Sequence, residues 1–187
     1  MSNAYFFGYG SLVNRSTHIY TPAFHARASG WRRAWRCTPD RGPAFLTVIP
    51  DPTCEIEGLV AGVPGLDWAA LDLRESSYDR LPASHCVTHC RGAEADVAIY
   101  SIPEASRQLP DDDHPVLLSY LDVVLQGYLC EFGTDGADRF VTTTTGWEAP
   151  ILDDRANPRY PRAQELTGTE RDYVDRALQS LGCKVLV

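Results

Sequence analysis

The sequence lacks the features that mark several large classes of protein. Its apolar runs are all shorter than the ~20 residues of a membrane-spanning helix, so no membrane contact is expected. It also lacks an excess of positive charge, with a formal net charge of −8 and an isoelectric point of about 5.0. That balance argues against a nucleic-acid partner, because such surfaces are usually basic. No basic stretch followed by a long apolar segment opens the chain, so no secretory signal is predicted.

What is present fits one ordinary globular domain. The chain has 187 residues, of which 44% are hydrophobic and 22% charged, enough for a hydrophobic core of normal size. No internal repeat, low-complexity tract or linker divides it. We predict a single domain over 1–187, with a core over about 4–133 and a C-terminal helical or irregular extension over about 134–187. Without an export signal, the six cysteines are expected to be reduced thiols in the cytoplasm.

The first half of the chain, to about Pro103, predicts short strands separated by turn residues. The predicted strands cover 4–9, 30–37, 44–49, 55–64 and 95–102, and Pro50 is expected to close the third of them. Short strands without intervening helices favour a small barrel or a strongly curved sheet over a doubly wound fold.

The second half predicts helices. Asp113 is expected to cap a helix that ends at Gly133, and a shorter helix is expected over 135–144. An irregular stretch with three prolines follows. A final helix is expected to begin with a capping box at Thr169 and to end at Gly182. The predicted class is therefore α+β, a small mixed β-barrel with flanking helices.

The first candidate site is the turn that follows the first strand. Gly8 and Gly10 flank Tyr9 within the sequence "GYGSL", and a tight turn there leaves backbone N–H groups without strand partners. Such groups can bind a carboxylate or a developing oxyanion. The motif alone is also typical of a plain connection from strand to loop.

The second candidate lies in "LDWAALDLRESSYDRL". Asp67 is expected to cap a short helix that buries Trp68, Leu71 and Leu73, and Glu75 arrives at the end of that helix. Burial of a carboxylate favours its protonated form, which suits a group that shuttles a proton. Glu75 is therefore a candidate general acid and base.

Glu75 also has a structural interpretation. Arg74 and Arg80 lie close by in the sequence, and a surface ion pair with either one is the commoner arrangement for a glutamate.

Taken together, "GYGSL" and "LDLRESSYDR", about sixty residues further on, resemble motifs of the gamma-glutamylcyclotransferase family. The segments "GWRRAW" and "GLVAGV" between them also fit the family pattern. The resemblance covers roughly residues 4–130. It implies the same small mixed barrel with flanking helices that the strand and helix patterns predict.

The resemblance also implies a reaction. The α-amine of a gamma-glutamyl substrate attacks its own gamma-carbonyl, which forms 5-oxoproline and releases an amine or amino acid without water. Glu75 matches the family's catalytic glutamate. Tyr9, Gly10, Ser11 and Leu12 match the loop whose backbone amides bind the gamma-glutamyl group. No cofactor and no metal are implied.

Further tyrosines match less directly. Tyr120 occupies the place of a family tyrosine near the glutamate, and Tyr78 and Tyr100 are further candidates for lining the pocket. Leu12 in "YGSL" is typical of the ChaC-like branch, which degrades glutathione, whereas Ser76 departs from the glycine common at its position. The small-molecule substrate is therefore left open between glutathione and other gamma-glutamyl compounds.

Other functions are weaker predictions. The segment "HCVTHC" over 85–90 contains soft metal ligands, but on a strand its side chains alternate between faces, so only one set could meet an ion. A cysteine nucleophile has no supporting motif. The remaining alternative is a non-catalytic small-molecule-binding or regulatory module on the same fold.

Overall fold

A computed structural model of the chain describes residues 4–39, 41–90 and 95–186. The strands are β1 Ala4–Gly8, β2 Ala23–Thr38, β3 Arg41–Gly62, β4 Asp79–Pro82, β5 Val87–His89, β6 Asp96–Ser101, β7 Val116–Leu117, β8 Thr144–Thr145, β9 Ile151–Leu152 and β10 Val185–Leu186. The α-helices are α1 Trp68–Arg74, α2 Leu118–Thr142 and α3 Gly168–Leu181.

A single mixed sheet organises these elements. The strand β1 lies between β3, with which it runs antiparallel, and β6, with which it runs parallel. The long strands β2 and β3 pair along most of their length, and β7, β9 and β10 extend the sheet beyond β3 with short parallel pairings. The predicted α+β class is confirmed. In the described residues the sheet does not close on itself, so the predicted barrel is open.

The long strand β3 corrects one prediction. Two strands were expected, the first closed by Pro50, but β3 runs without interruption through both. Pro50 lies opposite Trp31, next to a register shift in β2 where Gly30 takes a φ of 81°. A bulge is a position at which a strand tolerates proline, because the regular hydrogen-bond ladder is already broken there.

The helix α2 begins later than the sequence predicts. Asp113 does not cap it, because residues 116–117 pair with β3 and β9 as the strand β7 and helical turns start only at Leu118. The cap-like side chain nearby is Asp111, whose carboxylate accepts hydrogen bonds from the backbone N–H groups of Asp113 and His114. The predicted break at Gly133 is confirmed, since its φ of 68° is not helical.

The helix α3 has its capping box two residues before the predicted position. Thr167, not Thr169, accepts the N–H of Glu170, and the Glu170 side chain accepts the N–H of Thr167 in return. Glutamate reaches back to the cap residue better than aspartate does. Gly182 ends the helix in the left-handed region, as predicted.

The hydrophobic core holds the first strand, β1, rigidly in place. All five residues of β1 are buried, and α2 packs across the sheet through Leu121, Val124 and Tyr128, which are fully buried. In the part of the chain that the structure describes, no helix has both the length and the apolar character needed to cross a membrane.

Candidate active site

The turn after β1 carries backbone amides that have no hydrogen-bond partner among the described residues. A short 3-10 turn over Ser11–Val13 starts directly after Gly10, and the first amides of a helical turn lack intrahelical partners. No group in residues 4–39, 41–90 and 95–186 accepts a hydrogen bond from the N–H of Gly10, Ser11 or Leu12. The turn therefore presents donors to a ligand.

A buried arginine, which sequence reasoning missed, fixes the orientation of this turn. The Nε of Arg33 donates to the carbonyl oxygen of Tyr9 at 3.1 Å, and the Tyr128 hydroxyl lies 2.9 Å from the same oxygen. The peptide between Tyr9 and Gly10 is trans, so the N–H of Gly10 points away from Arg33. Arg33 thus holds one face of the peptide and leaves the donor on the other.

The surroundings of Arg33 are unusual for a charged group. Its side chain is fully buried, and no carboxylate pairs with it among the described residues. Instead it donates to Thr143, Tyr128 and the backbone carbonyl of Glu57, and it lies 5.0 Å from the centre of the Phe140 ring. A charge-assisted bond polarises the peptide that accepts it, which makes the N–H beyond a stronger donor.

The helix α1 delivers Glu75 as predicted. The Asp67 side chain accepts the N–H of Ala70 at 3.4 Å and so caps the helix. Glu75 is the residue at the C-terminal end, and its N–H donates to the carbonyl of Leu71 at 2.9 Å. Leu71 is buried, but Leu73 is 78% exposed, so the prediction that Leu73 faces the core is wrong. At helical spacing, Leu73 points away from the side that Leu71 buries.

Glu75 has an ion pair inside the protein wall. The Nε of Arg74 lies 3.1 Å from Oε1 of Glu75, and the two side chains are only 10% and 17% exposed. Arg80 instead pairs with Asp72 and stacks on Trp68, at 4.3 Å from the ring centre. The ion pair considered from the sequence therefore forms with Arg74, yet Glu75 is not an open surface residue.

One cavity, here called the inner cavity, brings together all the predicted site residues. Its lining includes Tyr9, Gly10, Ser11, Leu12, Glu75 and Tyr120. Tyr78 and Tyr100, the further aromatic candidates, also line it. Residues from the first strand, from the end of α1 and from the start of α2 thus meet around one space.

Tyr120 lies close against the turn. A Cβ placed on Gly10 would lie 3.1 Å from the Tyr120 hydroxyl oxygen, so only glycine fits there without displacing a neighbour. Tyr120 is 5% exposed. Burial raises its pKa well above the ordinary value, and the nearby Tyr160, Tyr9 and Glu75 raise it further. The hydroxyl therefore keeps its proton and remains a donor.

Two of the predicted binding residues have their side chains engaged elsewhere. The Tyr9 hydroxyl donates to the carbonyl of Tyr100 at 2.6 Å, and burial, followed by the Glu75 carboxylate, raises the pKa of Tyr9. The Leu12 side chain packs with Phe6 and Leu71. What these two positions offer to the cavity is mainly their backbone.

A second space, here called the outer cavity, shares Ser11, Glu75, Tyr78 and Tyr120 with the inner cavity. Its other walls include Arg74 and the segment Arg159, Tyr160 and Arg162 from the predicted extension. Its volume is about 180 Å³, against about 30 Å³ for the inner cavity. No motif in the sequence pointed to this segment.

Comparison with known proteins supports the fold. No family model matches the chain, and no curated protein matches its sequence. A solved structure of a gamma-glutamyl cyclotransferase superposes with a TM-score of 0.54 at 12% identity, over 92% of this chain and 98% of that one. An uncharacterized protein from Homo sapiens superposes with a TM-score of 0.57 at 13% identity, over 91% and 97% of the two chains. The chain has a gamma-glutamyl cyclotransferase-like fold.

The same fold occurs as part of a larger protein. YkqA from Bacillus subtilis superposes with a TM-score of 0.56 at 15% identity, over 73% of this chain. This chain spans about half of the length of YkqA, since the match covers 52% of it.

The segment over 85–90, whose His and Cys side chains are possible metal ligands, lines neither the inner nor the outer cavity. It includes β5, whose strand character was predicted. Within the described ranges, no group of three or more His, Cys, Asp or Glu side chains is arranged to hold a metal ion.

Proposed function

We propose that the protein is a gamma-glutamylcyclotransferase that releases 5-oxoproline from a gamma-glutamyl substrate. The observation that supports this function best is that Glu75 and the amides of residues 10–12 face one cavity. A carboxylate that moves a proton and donors that stabilise an oxyanion are the two requirements of the reaction. The fold neighbours are consistent with it.

The chemical step needs only one proton carrier. Glu75 accepts a proton from the substrate's α-ammonium group, and the free amine attacks the gamma-carbonyl carbon. A nitrogen–carbon bond forms to close the five-membered ring, and the bond from that carbon to the leaving nitrogen breaks. Glu75 returns that proton to the leaving nitrogen, and the ring nitrogen, which still carries two hydrogens after the attack, passes one of them through Glu75 to the released amine. No water is consumed. Because both reacting groups belong to one molecule, holding them in the reactive geometry supplies much of the acceleration.

The turn has the second role. In the tetrahedral intermediate the gamma-carbonyl oxygen becomes negative, and the N–H groups of Gly10 and Ser11 donate to it. Arg33, on the far side of the Tyr9 peptide, strengthens the Gly10 donor. The Tyr120 hydroxyl, which stays protonated and lies beside Gly10, also donates to the bound substrate.

The test is the formation of 5-oxoproline. The protein is incubated with gamma-glutamyl amino acids, a gamma-glutamylamine and glutathione, and at least one is expected to give 5-oxoproline. Glu75→Gln keeps the size of the side chain but removes its basicity, so kcat is expected to fall by about 10³-fold. Glu148→Gln changes an exposed glutamate far along the sequence and is the matched control, with unchanged kcat.

Two results would contradict the proposal. Turnover by Glu75→Gln at the wild-type rate would remove Glu75 from the mechanism. Binding of gamma-glutamyl compounds by the wild type, with no 5-oxoproline from any of them, would support the non-catalytic binding module instead.

A cytoplasmic location is also part of the proposal. All six cysteines are free thiols in the structure, and free thiols persist in reducing compartments.

A further inference from the structure

The outer cavity carries a charge opposite to that of the protein. Arg74, Arg159 and Arg162 line it, and Glu75 is its one acidic lining residue among those described. The chain as a whole has a formal net charge of −8. An electropositive cavity raises the local concentration of anions even on a protein whose net charge is negative.

The guanidinium groups of two of the three arginines are unpaired within the described part of the chain. In the part of the chain that the structure describes, neither guanidinium group of Arg159 and Arg162 makes a hydrogen bond or an ion pair. Both residues are exposed at the rim of the cavity. Their charges are therefore available to a ligand.

The third arginine is inside the wall and only partly satisfied. Arg74 donates from Nε to Glu75 and from Nη1 to the carbonyl of Thr17 at 3.0 Å. Its Nη2 is enclosed by protein and has no hydrogen-bond partner among the described residues. Arg74 therefore acts on a ligand in the outer cavity through the positive charge that it contributes to the wall.

The segment that carries Arg159 and Arg162 is held firmly beside the site. The carboxylate of Asp154 accepts hydrogen bonds from the N–H and the hydroxyl of Ser119, at 2.8 and 2.6 Å, and from the N–H of Arg159 at 2.8 Å. The Tyr160 ring packs edge-on against Tyr120, with ring centres 4.9 Å apart. The rim is therefore fixed to the first turn of α2, which also presents Tyr120 to both cavities.

The geometry assigns the two cavities to the two halves of the substrate. Glu75 lines both cavities, and in the proposed function it acts on the bond that breaks. The glutamyl half then lies in the inner cavity with the amides, and the leaving group lies in the outer cavity with the arginines.

We infer that the leaving group of the substrate carries a carboxylate; this inference rests on the proposed function. The substrate class is then gamma-glutamyl amino acids or peptides with a free C-terminus, in preference to gamma-glutamylamines. Guanidinium groups bind carboxylates through short, paired hydrogen bonds.

The test uses two substrates that differ only in that charge, gamma-glutamylalanine and gamma-glutamylalanine amide. The wild type is expected to have a kcat/KM at least about tenfold higher for the acid, the effect of one charge-assisted contact. Arg159→Gln with Arg162→Gln is expected to bring the ratio of the two kcat/KM values close to one. Arg171→Gln with Arg176→Gln removes the same charge from exposed positions on α3 and is expected to keep the wild-type ratio.

The outcomes separate this inference from the proposed function. Equal cleavage of acid and amide by the wild type overturns the inference and leaves the cyclotransferase activity standing. A ratio unchanged in the Arg159→Gln, Arg162→Gln variant overturns the assignment of those residues. If neither compound yields 5-oxoproline, calorimetric titration decides: tighter binding of the acid supports the cationic cavity, and equal affinities overturn it along with the proposed function.

Discussion

The inner and outer cavities meet at Glu75, yet they are built in opposite ways. The inner cavity is made from buried groups: Tyr9, Tyr120 and, behind the turn, Arg33 are all less than a tenth exposed. Each of these groups is held by the core, so its polar atoms cannot move without disturbing the fold. Donors fixed before the substrate arrives cost no reorganisation during the reaction, which is what stabilisation of an oxyanion requires.

The outer cavity instead relies on exposed arginines on an irregular segment. The side chains of Arg159 and Arg162 are exposed, whereas Asp154 and Tyr160, which hold the segment in place, are buried. Such a rim can change its side chains at little cost to stability, since surface substitutions usually matter little. The comparison indicates that reactivity is set by the core and the choice of leaving group by the rim.

After Glu75, the largest effect is expected from Arg33, the support of the inner cavity. Arg33→Met keeps the length of the side chain but removes the donors to the carbonyl of Tyr9. Among the described side chains, the Tyr128 hydroxyl alone then holds that oxygen, so the peptide is less firmly oriented. The value of kcat/KM is expected to fall by about 10²-fold, the loss typical of one oxyanion donor. Arg33→Lys is expected to fail as well, because a single ammonium group cannot reproduce the planar fork.

Arg32→Met is the matched control for that experiment. Arg32 is the sequence neighbour of Arg33, but it lies on the other face of β2 and pairs with Asp51 at 2.7 Å. It is expected to keep nearly full activity. A similar loss of kcat/KM in both variants would mean that β2 as a whole, and not the bond to Tyr9, supports the turn.

A tenfold effect is expected where Tyr120 approaches the turn. Gly10→Ala places a methyl group 3.1 Å from the Tyr120 hydroxyl oxygen, and kcat/KM is expected to fall about tenfold as the turn or the tyrosine shifts. Adding Tyr120→Phe removes that oxygen and is expected to restore kcat/KM to within about threefold of the Tyr120→Phe single variant. An additive loss in the double variant would show that the contact is not the cause.

The inner cavity could be predicted largely from the sequence, because its parts are local. The turn is encoded by five consecutive residues. The position of Glu75 can be predicted because it ends a short helix that is capped by Asp67. Arg33 was missed because it shares one face of the predicted strand with Trp31 and Trp35, a pattern that indicates only a face of mixed polarity. Only the three-dimensional structure shows that it is buried without a carboxylate, beneath a turn more than twenty residues away in the chain.

The outer cavity could not be predicted, because long-range packing creates it. Nothing local to Arg159 places it beside Tyr120; the anchor is Asp154 bonding to Ser119, 35 residues earlier in the chain. Two predicted boundaries of strands and helices were wrong for the same reason. Pro50 closes no strand because it lies beside an irregularity at which residues 51–54 of β3 face the single residue Gly30 of β2. Asp113 caps no helix because the residues after it pair in a sheet.

A smaller effect is expected from loosening the anchor of the rim. Asp154→Asn leaves one carbonyl oxygen where a carboxylate now accepts three hydrogen bonds from Ser119 and Arg159. The free energy of unfolding is expected to fall by about 1–2 kcal/mol, and the preference for gamma-glutamylalanine over its amide is expected to shrink. Asp153→Asn, at an exposed neighbour, is the control in both measurements. If the stability falls but the preference for the acid is unchanged, Asp154 stabilises the fold without positioning the arginines of the rim.

The smallest effect is a pH dependence behind the inner cavity. His18 accepts the N–H of Tyr20 at Nδ1, so its proton is on Nε2, which donates to the carbonyl of Leu12 at 3.0 Å. Burial lowers the pKa of His18 below its ordinary value of 6.5, and the charges of Arg74 and Arg15 lower it further, although the Leu12 bond opposes them. The folded protein thus keeps this histidine neutral at a pH where the unfolded chain would protonate it.

The sign of the dependence follows from that difference. Above pH 6.5 both states are neutral and the contribution of His18 is complete. As the pH falls below that value, the unfolded chain binds a proton that the folded protein does not, so the free energy of unfolding decreases. Between pH 7.5 and 5.5 the wild type is expected to lose about 1 kcal/mol or less more than His18→Gln, while His85→Gln, at an exposed histidine, behaves like the wild type. An equal loss of stability in the wild type and His18→Gln would show that the acceptance of the Tyr20 N–H at Nδ1 does not hold the ring neutral. The geometry of the turn would then depend on Arg33 and Tyr128 and not on His18.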